Sequence, residues 1–118
     1  YLIATLIIFA LGFAVWYFTR PKFAYGNLDE FARCLAEHDV TMYGADWCTH
    51  CQNEKARFGD SWKYVPYVEC PENPKACLEK GVENYPTWIL PDGTKLVGEQ
   101  GPERLSEITS CKLPDKNK

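Results

Sequence analysis

Apolar and polar positions fall into two regimes along this chain. From Tyr1 to Phe18 only Thr5 and Gly12 interrupt an uncharged run of Leu, Ile, Phe, Ala, Val and aromatic residues. A helix rising 1.5 Å per residue would carry that run roughly 27 Å, close to the hydrocarbon thickness of a bilayer. Trp16 and Tyr17 stand where amphipathic rings favour a membrane interface, and Thr19-Arg20-Pro21-Lys22 stops the run. A buried core helix would show a polar face, and a cleaved signal peptide a shorter apolar region followed by a small-x-small site. The pattern shows neither, so residues 1–19 are expected to form a transmembrane anchor and 20–27 a juxtamembrane linker.

Beyond the linker the periodicity is that of a folded domain, expected over residues 28–111, with a polar tail at 112–118. Asn27 or Asp29 can cap a helix through about His38, because Leu28, Phe31, Ala32 and Leu35 are spaced to share one face. Val40 to Ala45 reads as a strand, and Asp46 to Cys51 as a loop turning into a helix that runs to about Phe58 and ends near Gly59. Tyr64 to Cys70 is a second strand, Pro71 to Pro74 a turn, and Lys75 to Lys80 a short helix closed by Gly81. Thr87 to Leu90 and Lys95 to Gly98 form a hairpin about Pro91-Asp92-Gly93, and Pro102 opens a last helix to Thr109. A strand-helix-strand unit requires parallel pairing by a right-handed crossover, whereas the closing hairpin is antiparallel. The expected fold is therefore α/β, a mixed four-stranded sheet with flanking helices.

Once the apolar run is set aside, about 95 residues remain, few enough that covalent staples would help a marginal core. Six cysteines are present. Such a density points to an oxidising compartment. Arg20 and Lys22 after the run would instead hold the domain in the cytoplasm by the positive-inside tendency, but the chain opens with Tyr1 rather than Met and the flank before it does not enter the count. The cysteines weigh more, so the domain is expected on the extracytoplasmic side. With a net charge of −3 and no basic stripe, the chain offers nothing to neutralise phosphates, and nucleic acid is excluded as a partner.

The candidate chemistry lies in Trp47-Cys48-Thr49-His50-Cys51. Two cysteines two residues apart can close a small disulfide or hold two ligands of one metal, and context decides. Here the pair follows a strand and opens a helix, where free N–H groups and the macrodipole favour a thiolate on the first cysteine. Cys48 is thus the expected nucleophile, Cys51 the resolving thiol, and His50 a positive tuner beside the thiolate. Stabilising the dithiol makes the pair a better disulfide donor. No cofactor or metal is required by this reading. Trp88, Tyr85, Trp62 and Tyr64 read as core or rim aromatics, and His38 as a surface residue near a helix end. Cys34 and Cys111 can pair with each other or link to another chain, since no register between them can be read.

Trp47-Cys48-Thr49-His50-Cys51, then Tyr85-Pro86-Thr87-Trp88 and a hairpin with Gly93, resembles the thioredoxin superfamily. With Met42-Tyr43-Gly44-Ala45, Cys51-Gln52-Asn53 and Pro66-Tyr67-Val68-Glu69-Cys70, the resemblance narrows to the thioredoxin-like domain fused to bacterial vitamin K epoxide reductase homologues. It implies a thioredoxin-like fold and a cis peptide at Pro86, beside the active pair, that holds an extended substrate strand. Substrate contact is expected at Trp47, Thr49, Tyr85 and Pro86, and a structural disulfide is implied between Cys70 and Cys77. The implied partners are cysteine-containing protein substrates and a quinone-linked membrane protein that reoxidises the pair. That partner must be separate, because no four-helix quinone-reducing module lies in this chain. Thr49 replaces the proline common before the histidine in this branch. Met42 stands where reducing thioredoxins carry a buried Asp, which weakens the reading as a reductase. The expected activity is thiol-disulfide oxidation or isomerisation in exported proteins. The rivals are a membrane-anchored reductase and a copper- or zinc-delivery protein that uses Cys48, His50 and Cys51.

Overall fold

The computed structural model describes residues 1–19 and 27–115. The apolar run forms helix α1, Leu2–Phe18, whose side chains are exposed on nearly every side. It ends where Thr19 Oγ1 donates back to the Val15 carbonyl at 2.7 Å. No helix among the described residues is long and apolar enough to cross a membrane, so the span expected over residues 1–19 is not shown. The expected linker at 20–27, apart from Asn27, and the last residues of the expected tail, 116–118, lie outside the described residues.

The remaining elements are α2 (Asp29–Glu37), β1 (Thr41–Gly44), α3 (Thr49–Phe58), a 3₁₀ segment (Gly59–Tyr64), β2 (Tyr67–Glu69), α4 (Pro74–Glu79), β3 (Thr87–Ile89), β4 (Lys95–Val97) and α5 (Gly101–Thr109). They build one four-stranded sheet in the order β2-β1-β3-β4. The β1–β2 pair is parallel, with Tyr43 opposite Val68, while β3 is antiparallel to both β1 and β4. This is the mixed sheet expected from the crossover and hairpin rules. The chief difference is β2, which begins at Tyr67 rather than Tyr64. Tyr64 belongs to the 3₁₀ segment, the Val65 N–H is taken by the Trp62 carbonyl, and Pro66 brings only a carbonyl, which accepts from Met42 N at 3.0 Å.

Side chains alternate across β1. Met42 joins a core with Phe31, Leu35, Phe58, Trp88 and Leu105, whereas Tyr43 packs with Ile89, Cys70 and Cys77 on the opposite face. Phe31 of α2 stacks on Phe58 of α3, with centroids 5.9 Å apart, so the apolar face expected from Leu28, Phe31, Ala32 and Leu35 is the buried one. Two disulfides staple the domain. Cys70–Cys77 ties the end of β2 to α4, and Cys34–Cys111 ties α2 to the segment after α5 across 77 positions of sequence.

Candidate active site

Beyond β1 the chain turns through Ala45-Asp46-Trp47 and enters α3 with Cys48 as its N-cap. Cys48 has extended backbone angles (φ −77°, ψ 118°), and its sulfur accepts the Cys51 N–H at 3.2 Å. An orphan donor of the helix start is thereby satisfied by sulfur, in the place where Ser or Asp usually serves. Gln52 Nε2 donates to the Asp46 carbonyl at 2.7 Å, which ties the loop to the helix it opens. Both Cys48 and Cys51 are thiols.

The two sulfurs differ in surroundings. Cys51 is fully buried. Burial pushes its thiol up to about 12, with further contributions from the hydrogen bond and charge of Cys48. Gly44 makes room for it, since a Cβ at that position would stand 2.8 Å from Cys51 Sγ. Cys51 therefore stays protonated near neutrality, which leaves Cys48, at the start of the helix, as the candidate attacking sulfur.

His50 projects outward, and its Nδ1 lies 2.7 Å from Glu99 Oε1 in the β4–α5 loop. The same carboxylate accepts from Asn53 Nδ2 at 2.8 Å and Arg57 Nη2 at 3.0 Å. Hydrogen bonds from Asn53 and His50, with the Arg57 charge behind them, hold the Glu99 carboxyl below its ordinary value. Arg57 also reaches Glu54 Oε1 at 3.5 Å.

Tyr85–Pro86 is a cis peptide, as the resemblance implied. The Pro86 carbonyl accepts from Gly98 N at 2.8 Å, and Thr87 Oγ1 donates to the Asn84 carbonyl at 2.6 Å. Trp47 is exposed and meets Tyr85 edge-on, with centroids 5.9 Å apart. The two rings form an apolar rim next to the Cys48 turn. Thr49 is exposed at the first position of α3. Trp88 is fully buried and Trp62 and Tyr64 pack partly buried against the same core, in keeping with their reading as core or rim residues.

Two acids were not singled out from the sequence. Glu54 is completely buried and accepts from Trp88 Nε1 at 2.7 Å, Gln100 N at 3.1 Å and Gly101 N at 3.0 Å. It holds α3, β3 and the start of α5 together directly beneath the active helix. A signal for it existed: Cys51, Glu54 and Phe58 fall on one face at intervals of three and four, so an acid there must be buried and needs donors. Glu99 carries no such signal, because its role depends on a loop arriving from 49 positions further along the chain than His50.

A dithiol opening a helix after the central strand of this sheet, with a cis-proline before the neighbouring strand, is an arrangement suited to thiol-disulfide exchange. The chain belongs to the thioredoxin family, whose family model, described as Thioredoxin, matches residues 24–111. It is similar to the thiol-disulfide oxidoreductase LTO1 of Arabidopsis thaliana, with 38% identity over 100 residues, covering 74% of this chain and 26% of that protein. It is also similar to a protein disulfide-isomerase of Aspergillus oryzae, 35% identical over 92 residues, covering 70% of this chain and 18% of the relative. A thioredoxin domain-containing protein 5 homolog of Drosophila melanogaster is 30% identical over 93 residues, covering 68% and 22%. The chain thus spans about a quarter or less of these relatives' lengths.

Proposed function

We propose that the domain donates and rearranges disulfides in cysteine-containing proteins through its Cys48-Thr49-His50-Cys51 centre. In the oxidised form a substrate thiolate attacks Cys48 Sγ, the Cys48–Cys51 bond breaks, and Cys51 leaves as a thiolate that takes up a proton. A second substrate thiolate then attacks the substrate sulfur of the mixed disulfide, releasing substrate disulfide and reduced Cys48. Two electrons pass from substrate to the pair. In isomerisation the Cys48 thiolate opens a substrate disulfide, and Cys51 resolves the adduct when no substrate thiol does. The observation that carries this reading is the Cys51 N–H donated to Cys48 Sγ at the start of α3, since it favours the reduced sulfur and so the release of the disulfide. Met42 in place of a buried carboxylate supports the same direction.

Exposed Trp47 and Thr49 and partly buried Tyr85, with the backbone at the buried Pro86, would form the surface on which an extended peptide lies. Two disulfides among six cysteines support work in an oxidising, extracytoplasmic compartment. Helix α1, apolar on all sides, supports tethering at a membrane. There a separate quinone-linked protein of the vitamin K epoxide reductase type would reoxidise the pair. The test is the reduction potential of Cys48/Cys51 in equilibrium with glutathione. The proposal expects a value nearer the roughly −120 mV of a strong oxidant than the roughly −270 mV of a reducing thioredoxin. A value at the reducing end overturns it in favour of a disulfide reductase.

A further inference from the structure

The disulfide at the far end of α2 has a third potential ligand beside it. Cys34 and His38 are four residues apart, so they share one face of the helix end, and His38 is exposed. One ring nitrogen of His38 and the sulfurs of Cys34 and Cys111 all lie within 4.8 Å of one another. Among the described residues no other group of three Cys, His, Asp or Glu side chains converges in this way.

We propose that Cys34, His38 and Cys111 form a redox-gated zinc site, closed by the disulfide and opened by its reduction. Cys34 is partly exposed, so an external dithiol can attack its sulfur. The S–S bond breaks, the two electrons of the dithiol pass to Cys34 and Cys111, and the reductant leaves as its own disulfide. Zinc then displaces one proton from each thiol and takes the imidazole nitrogen as third ligand, with the fourth position open to water.

The geometry suits the ion. With Zn–S bonds of about 2.3 Å, tetrahedral coordination places two sulfurs about 3.8 Å apart, which two cysteines with Cα atoms 5.8 Å apart can reach by side-chain rotation. Cys111 is also held independently of the disulfide. Its carbonyl accepts from Ser106 Oγ at 2.5 Å, and its N–H donates to Thr109 Oγ1 at 3.2 Å. Reduction therefore leaves the two thiols facing each other. Two thiolates neutralise the dication, so the buried Cys111 side does not have to hold a net charge. The site replaces one staple between α2 and the C-terminal segment with another when the surroundings turn reducing.

Cobalt titration under anaerobic conditions tests the proposal, with the full chain carrying Cys48→Ser, Cys51→Ser, Cys70→Ser and Cys77→Ser so that neither the active pair nor the second disulfide contributes thiols. Expected are no cobalt bound by the oxidised protein, and one cobalt per chain after reduction by a phosphine, with thiolate-to-cobalt charge-transfer absorption and tetrahedral d–d bands. His38→Ala should weaken binding at least tenfold, and Cys34→Ser should abolish it. His38 lies outside the core, so His38→Ala remains decisive even where Cys34→Ser fails to fold. No uptake on reduction, or uptake that His38→Ala leaves unchanged, overturns the proposal.

Discussion

His50 and Glu99 are joined at 2.7 Å across the gap between the active helix and the β4–α5 loop, and Asn53 and Arg57 grip the same carboxylate. One of the two residues between the active cysteines is therefore anchored outside its own helix. Because the Glu99 carboxyl is held below its ordinary 4.5, its contribution to stability is complete above about that pH and is lost as pH falls through the lower folded-state value. Glu99→Gln should cost about 1 kcal/mol at pH 7, a typical worth for a partly exposed charge network. Urea unfolding of both proteins from pH 7 to pH 3 should show the difference shrinking with acid. A difference independent of pH would show that charge is not what Glu99 contributes.

Glu54 presents a sharper case, since three donors besides Arg57 depend on it. Glu54→Ala should destabilise by roughly 3 kcal/mol or more, because unsatisfied buried donors cost about 1–3 kcal/mol each. Glu54→Gln, which keeps one acceptor oxygen, should lose less. Denaturant titration read by tryptophan fluorescence would follow both, with Trp88 itself reporting on its lost partner. Equal losses in the two variants would contradict the hydrogen-bond account.

Gly44 sets the depth at which Cys51 sits. In Gly44→Ala the new Cβ would crowd Cys51 Sγ and come within 3.3 Å of Tyr67 Cε2, so the sulfur must shift. The variant should lose about 1–3 kcal/mol to overpacking. Attack by Cys48 on a model disulfide should stay near the normal rate, while resolution by Cys51 slows about ten- to a hundredfold, the usual penalty for misplacing a reacting atom. Rapid quench of the mixed disulfide separates the two steps. Equal slowing of both would show that Gly44 does not act through Cys51.

Much of the architecture is legible in local pattern. The face formed by Leu28, Phe31, Ala32 and Leu35 is the buried face of α2, and the strand before and helix after Cys48 are where spacing and turn residues place them. The 3₁₀ segment was not legible, because Trp62 and Tyr64 have strand-like side chains and it is the packing of Trp62 against Phe58 and Tyr67 that favours the turn. The apolar run forms a helix that ends at Phe18, and its crossing of a membrane is not shown. The Cys34–Cys111 pairing joins positions too distant for any register, and Glu99 meets His50 only through tertiary folding. Residues whose partners lie on the same helix were readable; those whose partners arrive by a distant loop were not.

The two staples should differ in worth. By loop-closure entropy, a separation of 77 residues corresponds to about 4.5 kcal/mol and a separation of 7 to about 2.4 kcal/mol. Removing Cys34 and Cys111 as Ala should thus lower the melting temperature more than removing Cys70 and Cys77, with the reaction of Cys48 toward small disulfides nearly unchanged in both. Calorimetry with a thiol-exchange assay would check this. Loss of exchange activity in a folded Cys70→Ala/Cys77→Ala protein would mean that this pair relays electrons to the active one.

The central claim is the division of labour between a reactive Cys48 and a buried Cys51 whose thiol is pushed up to about 12. It is tested most directly by trapping. Cys51→Ala should accumulate lasting mixed disulfides with substrate proteins, because Cys48 still attacks and nothing resolves the adduct. Cys48→Ala should accumulate almost none. Mass spectrometry of non-reduced adducts should place every substrate bond on Cys48; adducts as abundant in Cys48→Ala, carried on Cys51, would contradict the account.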